Sequence, residues 1–433
     1  MNIQSIFYNI FFIPAARLAS FFLRPLLPKL KQRETSAEKV FNALPDFKND
    51  KVVWFHAASM GEFEQAKPVI EDIKARSNNI KIVCSFYSPS GYVNQKNYEY
   101  ADSVCYMLFD SISNANLFIE KISPEVAVFI RYDIWRNHLK TLAKKQIPAY
   151  LINATFPTNK ILTNSLLLRQ FTKSNYELFD EIITINDQET RKFYEQGIKT
   201  NITSLSDTRF DRIIAKVEEA KNNPIISKEL FKDELILIAG SSWPKDEELL
   251  YDAVNKINAA EFKLRVIFVP HEPTLRNLER LQSLVPDSIL LSKLEISQAP
   301  ELKNKHIIVD SIGKLLRLYS LADFVYVGGG FGAGVHSVAE PAGYGLPIMC
   351  GPKYTNSPDA VALKQLNSLE PIEDADEALQ WLLKMLDEEN RDSVGRINGK
   401  YITDRQGTSE IIADKIIDTI HQKQLSQGMP KNV

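Results

Sequence analysis

The stretch VVWFHAASMGEFEQAKPVI, Val52 to Ile70, begins as an apolar β-branched and aromatic run and ends in a helical pattern. VVWFHA reads as a buried strand, Ala-Ala-Ser-Met-Gly as a tight turn, and Glu62 falls in the first turn of the helix that Ser59 or Gly61 begins. A strand running through small residues into a helix is half of a βαβ unit, and ligands of α/β proteins meet the sheet at this junction. Glu62 carries two readings. It complements the helix dipole, a contribution of about 0.3–1 kcal/mol, or it acts as a base where Ala57, Ala58 and Gly61 leave room for a large ligand and Pro68 loosens the helix beyond. His56 reads as a satisfied histidine at a strand end, with proton transfer as the alternative.

Working outward, further apolar runs alternate with helical patterns: IKIVCSF, SVCYML, EVAVFI, PAYLIN, EIITI and NITSL, then LILIAG, LRVIFV, SILLS, HIIV and FVYVGG. That alternation predicts parallel sheets with helices on both faces. The pattern thins across the polar residues 206–230, which hold Pro224, and 433 residues exceed what one core serves. Two doubly wound, Rossmann-like domains are expected, 36–212 and 213–433, facing each other across a cleft with the carboxyl ends of both sheets toward one ligand. The helical pattern Ser409–His421 ends the second domain in a frayed polar tail. A net charge of -2 offers no basic field for nucleic acid, and Cys84, Cys105 and Cys350 lack metal-ligand spacing and suit small buried positions in a reducing compartment.

Residues 1–35 depart from this average, being apolar and aromatic from Ile3 to Leu27 with only basic charges before Glu34: Arg17, Arg24, Lys29, Lys31 and Arg33. A cleavable signal would place its charge before the apolar core. A spanning helix needs about 20 uninterrupted apolar residues, and Pro14, Arg17 and Arg24 interrupt this run. A membrane-associated helical segment on an anionic phospholipid surface fits best, with a single span or a helix packed on the protein's own domain as alternatives. The positive-inside tendency keeps the body cytoplasmic.

The second constellation, FVYVGGGFGAGVHSVAEPAGYGLPIMCGP, runs from a buried strand into Gly328, Gly329, Gly330, Gly332 and Gly334, with a helix expected close to His336 and Ser337. Such a turn lets backbone N–H groups approach an anion, while its spacing is not that of a dinucleotide site. Glu340, one helical turn beyond His336, is placed to accept from ribose hydroxyls. Ser241 and Ser242 precede another helix, where capping and ligand contact are equal readings; Pro270 and His271 follow a further strand. RYDIWRN supplies Arg131 and Asp133 after a strand of the first half.

Together these stretches resemble the 3-deoxy-D-manno-octulosonic acid (Kdo) transferases of lipid A assembly, inverting glycosyltransferases of the GT-B fold. FHAASMGE is similar to the family's H-A-x-S-x-G-E, and the glycine-rich segment to its G-G-S-F…G-G-H-N-x-L-E-P-A-x-x-G-x-P. The resemblance implies that Glu62 is the general base. It places Ser241, Ser242, His271, Gly328, Gly329, Gly330, Gly332, His336, Ser337 and Glu340 against the CMP of CMP-Kdo, and His56, Ser59, Gly61, Arg131 and Asp133 on the acceptor or structural side. The chain departs from the family in RYDIWRN, where Arg131 replaces an acid and Asp133 shortens another, and at Ser337, where the family carries asparagine.

The implied acceptor is a phosphorylated tetraacyl glucosamine disaccharide, attacked through its 6'-hydroxyl at the cytoplasmic face of a bacterial inner membrane. No metal or cofactor is expected. The rival readings are a GT-B enzyme using another nucleotide sugar, a nucleotide-sugar epimerase, and a catalytically silent membrane-bound binding protein.

Overall fold

The computed structural model describes residues 3–23, 28–157, 166–231, 234–260, 262–297 and 305–428. It divides into two compact units, Met1–Asp211 with Gly407–Val433, and Arg212–Gln406.

Among the described residues the first unit holds a seven-stranded sheet ordered β3-β2-β1-β4-β5-β6-β7, with every neighbouring pair parallel. Its strands are β1 (Lys51–Ala57), β2 (Ile80–Phe86), β3 (Ser103–Tyr106), β4 (Pro124–Ile130), β5 (Ala149–Ala154), β6 (Glu181–Thr184) and β7 (Asn201–Ser204). β1 is central because its side chains bury on both faces. Val52 and Trp54 join Phe118, Phe129 and Leu139 on one side; Val53, Phe55 and Ala57 join Val69, Ile70 and Ile73 on the other. Cys84 and Cys105 are buried here as unpaired thiols, as is Cys350 in the second unit.

The second unit repeats the design as β10-β11-β9-β8-β12-β13-β14. These strands are β8 (Leu235–Ser242), β9 (Leu264–Pro270), β10 (Ser288–Leu290), β11 (His306–Ile308), β12 (Phe324–Val327), β13 (Ile348–Cys350) and β14 (Leu369–Pro371). In each sheet the chain order reverses beside the first strand, between β1 and β4 and between β8 and β12. Such switch points open a crevice at the strands' carboxyl ends, which is where ligands bind in this class of sheet.

The carboxyl-terminal boundary differs from the sequence expectation. Helix Thr408–Gly428 belongs to the first unit, not to a domain spanning 213–433. Its stripe of Ile412, Ile416 and Ile420 packs with Val53, Phe55 and Ile70, and full burial of such a side chain is worth about 1.5–3 kcal/mol. Lys423 pairs with Glu125 at 2.6 Å, and Tyr150 and Thr419 share a hydrogen bond at 2.8 Å. Helix Met60–Arg76 also runs unbroken through Pro68, which is buried. The proline forfeits one backbone hydrogen bond without ending the helix.

At the amino end lie helix Ile3–Phe7, a π-turn at Tyr8–Phe12, and helices Ile13–Leu23 and Pro28–Asn42. One face is tied to the first unit: Tyr8 Oη donates to Asp110 Oδ2 at 2.7 Å, and Asn9 and Asn137 exchange hydrogen bonds at 2.8 and 3.2 Å. Arg33 is buried, donates to the Met107 carbonyl at 3.0 Å and lies 4.2 Å from the Tyr87 ring centre. Arg17 lies 5.1 Å from the ring of Phe109. Arg33 is thus withdrawn from any lipid surface, a correction to the basic set expected there; Arg24 and the side chain of Lys29 lie outside the described residues. Phe7, Ile10, Phe11, Phe12, Leu18 and Phe22 remain exposed. Among the described residues no helix is long and apolar enough to cross a membrane.

Candidate active site

At the end of β1, Ser59 caps helix Met60–Arg76 and Glu62 closes a capping box. Glu62 Oε2 accepts from the amides of Ala58 at 2.7 Å and Ser59 at 3.1 Å, and Ser59 Oγ accepts from the Glu62 amide at 3.5 Å. The cap uses only one carboxylate oxygen. Glu62 Oε1 has no hydrogen bond among the described residues, although the residue is only 8% exposed. Of the two readings of Glu62, the geometry shows the cap and leaves its second oxygen free of it. Burial, and then the nearby charge of Asp133, push its carboxyl above the ordinary range, while the two amides and His56 hold it back. A Cβ added at Gly61 would meet nothing within 4 Å.

Asp133 reaches this site from β4. His56 Nε2 and Asp133 Oδ2 are 2.7 Å apart, and His56 Nδ1 and Ser85 Oγ likewise 2.7 Å. A carboxylate can only accept, so Nε2–H of His56 donates to Asp133, while Nδ1 shares a hydrogen bond with Ser85 Oγ. Ser85 Oγ in turn accepts from Trp54 Nε1–H at 2.8 Å. Trp54, Ser85 and His56 thus form a buried hydrogen-bonded chain that fixes the Asp133 carboxylate beside Glu62. His56 is a satisfied histidine with a positioning task.

Arg131 stands apart from this group. Its backbone is left-handed, with φ of 64°, and its Nε donates to Gln65 Oε1 at 2.9 Å.

On the second sheet, the carboxyl ends of β8, β9 and β12 bring Ser241, His271 and His336 together. The His271 ring stacks with that of Trp243 at 5.2 Å and with that of His336 at 4.5 Å. Trp243 Nε1–H donates to His336 Nε2 at 3.3 Å, so the proton of the neutral His336 ring sits on Nδ1. Burial and then His271 push the His336 pKa down, with Asp246 opposing them. A cavity of about 200 Å³ opens beside Trp243, His271, Asn277 and Arg280.

The glycine-rich loop departs from its expected role. The amide of Gly328 donates to the Gly240 carbonyl, that of Gly329 to Asp246 Oδ2, and those of Gly332 and Gly334 to the Gly329 carbonyl. These N–H groups are consumed within the fold, so Gly328, Gly329 and Gly332 do not offer them to an anion. The glycines serve close approach instead. A Cβ at Gly328 would lie 2.2 Å from the carbonyl oxygen of Ser241, whose φ is 52°, and one at Gly330 would lie 2.7 Å from Gly351. Ser242 is likewise turned inward, its Oγ donating to Glu247 Oε1 at 2.8 Å.

The short helix Ala339–Gly343 begins after His336 and Ser337, so His336 and Glu340 do not share a helical face as the spacing had predicted. Ser337 is exposed. Burial pushes the Glu340 carboxyl up and Lys216 opposes it; the carboxylate has no hydrogen bond or ion pair among the described residues.

Sequence reading missed Trp243, Asp246 and Ser85. Trp243 has no acceptor with which to cap, so no capping-box signature marked Asp246; its bonds to Trp243 N at 2.8 Å, Tyr326 Oη at 2.6 Å and Gly329 N at 3.2 Å tie helix and loop together. Nothing local marked Ser85, which acts from a neighbouring strand. Among the described residues no three His, Cys, Asp or Glu side chains are grouped to hold a metal ion.

Residues 29–212 match the family model described as 3-deoxy-D-manno-octulosonic-acid transferase (kdotransferase). The 3-deoxy-D-manno-octulosonic acid transferase of Rickettsia bellii is 25% identical over 348 residues, covering 79% of this chain and 81% of that protein. Among solved structures, the UDP-GlcNAc 2-epimerase of Neisseria meningitidis bound to UDP-GlcNAc aligns with a TM-score of 0.58 at 15% identity, covering 85% of this chain and 100% of that one. MurG of Acinetobacter baumannii aligns at 0.52 and 13%, covering 85% and 99%. At such identities the structures speak for the fold alone, two α/β units with parallel sheets resembling GT-B glycosyltransferases. The sequence likeness carries the activity class: the protein is a glycosyltransferase enzyme related to the 3-deoxy-D-manno-octulosonic acid transferases.

Proposed function

We propose that the protein transfers Kdo from CMP-Kdo to the 6'-hydroxyl of a tetraacyl, phosphorylated glucosamine disaccharide, with Glu62 as general base. The observation that carries this reading is a buried carboxylate with one uncommitted oxygen at the switch point of the first sheet. A sugar hydroxyl is a weak nucleophile, so its proton must leave as the new C–O bond forms at the anomeric carbon. Glu62 Oε1 takes that proton. CMP departs with the electron pair of the breaking bond, and attack opposite the leaving group inverts the anomeric configuration. A raised pKa makes Glu62 a stronger base while it stays ionised, and Asp133, fixed by His56, supplies part of that rise.

The second unit takes the donor. Ser241, His271, His336 and Ser337 face the nucleotide, Glu340 accepts from ribose hydroxyls, and Gly328, Gly329 and Gly332, whose amides are bonded within the fold, hold the loop in place. Transfer requires the attacking hydroxyl and the activated sugar to meet with water excluded, because CMP-Kdo is open to hydrolysis.

The acceptor is a lipid, and the exposed Phe7, Ile10, Phe11, Phe12, Leu18 and Phe22 fit peripheral docking on an anionic, cytoplasmic-face leaflet. Incubation with CMP-Kdo and the tetraacyl disaccharide, read by product mass, tests the reading: a Kdo adduct supports it. Turnover of a UDP-sugar in its place, or binding without transfer, assigns the protein elsewhere.

A further inference from the structure

Arg131 occupies the position where the resemblance led one to expect an acid, and its surroundings are built. Its φ of 64° lies in the left-handed region, where a side chain with a Cβ is strained and Gly or Asn is the usual occupant. Its amide donates to the Ile152 carbonyl at 2.9 Å, which fixes the turn at the end of β4. The guanidinium is then aimed by a relay. Gln65, 5% exposed, turns its amide nitrogen to both oxygens of Asp207 at 2.9 and 3.1 Å, so its oxygen must face Arg131 Nε, 2.9 Å away. Asp207, 3% exposed, also accepts from the Arg209 backbone amide at 3.0 Å and pairs with Arg209 Nε at 3.3 Å, and among the described residues no ion pair joins it to Arg131. The two terminal nitrogens of Arg131 have no partner among the described residues.

Gln65 lies one turn beyond Glu62 on the same helix, and Arg131 lies two residues before Asp133. The planar fork of an arginine, held at its Nε and open at its far side, matches a tetrahedral oxyanion. The geometry points to Arg131 as the residue that recognises a phosphate monoester on the acceptor, with Gln65 and Asp207 as its positioning residues. This rests on the proposed transfer to a phosphorylated disaccharide. The acceptor is the source chosen because the cation shares the first unit with Glu62, whereas the donor groups lie on the second.

The test compares wild type with Arg131→Asn, which removes the charge at a backbone position asparagine tolerates, and with Arg131→Lys, which keeps charge without the fork. Steady-state kinetics use the phosphorylated disaccharide and the same disaccharide after phosphatase treatment. Arg131→Asn is expected to raise KM for the phosphorylated acceptor about tenfold or more with kcat little changed, and Arg131→Lys to recover part of the loss. With the dephosphorylated acceptor, all three proteins should show one KM. An equal loss on both acceptors, an unmoved KM, or a rise in the donor KM instead overturns the assignment. Equilibrium binding of the phosphorylated acceptor in detergent micelles reads the seat without turnover, so a wild type that binds it but transfers no Kdo refutes the proposed reaction and leaves Arg131 testable.

Discussion

The two strand rims, built on the same sheet plan, are furnished for different work. At the first, a buried carboxylate keeps one oxygen uncommitted and is tuned by a neighbouring charge that a chain of three hydrogen-bonded residues holds still. At the second, aromatic and imidazole rings stack, a glycine loop packs tightly on strand ends, and Asp246 bonds it to the following helix. Under the proposed function, the contrast separates proton transfer from ligand holding. A base must be desolvated yet reachable, whereas a nucleotide site needs shape and donors.

The strongest way to break this contrast is to neutralise one carboxylate on each rim. Glu62→Gln should lower kcat about 10²–10⁴-fold with the donor KM little changed. Glutamine also closes a capping box, so the melting curve should stay in place. Glu340→Gln should instead raise the donor KM and spare kcat. If both variants lose kcat alike, the division of labour is wrong.

The glycines sharpen the comparison next. Gly328→Ala drives a Cβ against the Ser241 carbonyl and should cost at least about 1–3 kcal/mol in denaturant unfolding while weakening CMP binding. Gly61→Ala meets open space and should leave unfolding within about 0.5 kcal/mol. A smaller effect is expected outside both rims: Phe7→Ser with Phe11→Ser should weaken sedimentation with anionic vesicles about tenfold, given their exposed apolar area. Smallest is Asp133→Asn. Asp133 raises the Glu62 pKa, so its loss lowers that pKa, keeps the base ionised to lower pH, and moves the acid limb of kcat/KM downward.

Much of the first rim was legible because its parts are contiguous. Strand, turn, cap and carboxylate all lie within Val52–Ile70, and local rules of period and capping reach that far. Ser85 and Gln65 were not, since each acquires its partner only when strands or helices from other segments align. The glycine loop misled for a related reason. Its composition announced backbone freedom, but which N–H groups stay open depends on Gly240 and Asp246, some 80 residues earlier. The final helix was misassigned because an isoleucine stripe announces burial without naming the sheet it covers.

The proposed reaction turns most directly on the proton that leaves the acceptor hydroxyl. Single-turnover Kdo transfer at saturating CMP-Kdo and acceptor, followed across pH in wild type and Glu62→Gln, reads that step. Wild type should show an acid limb above the ordinary carboxylate range, and the glutamine variant a slow rate without that limb. A fast glutamine variant, or one that keeps the wild-type limb, contradicts Glu62 as the base.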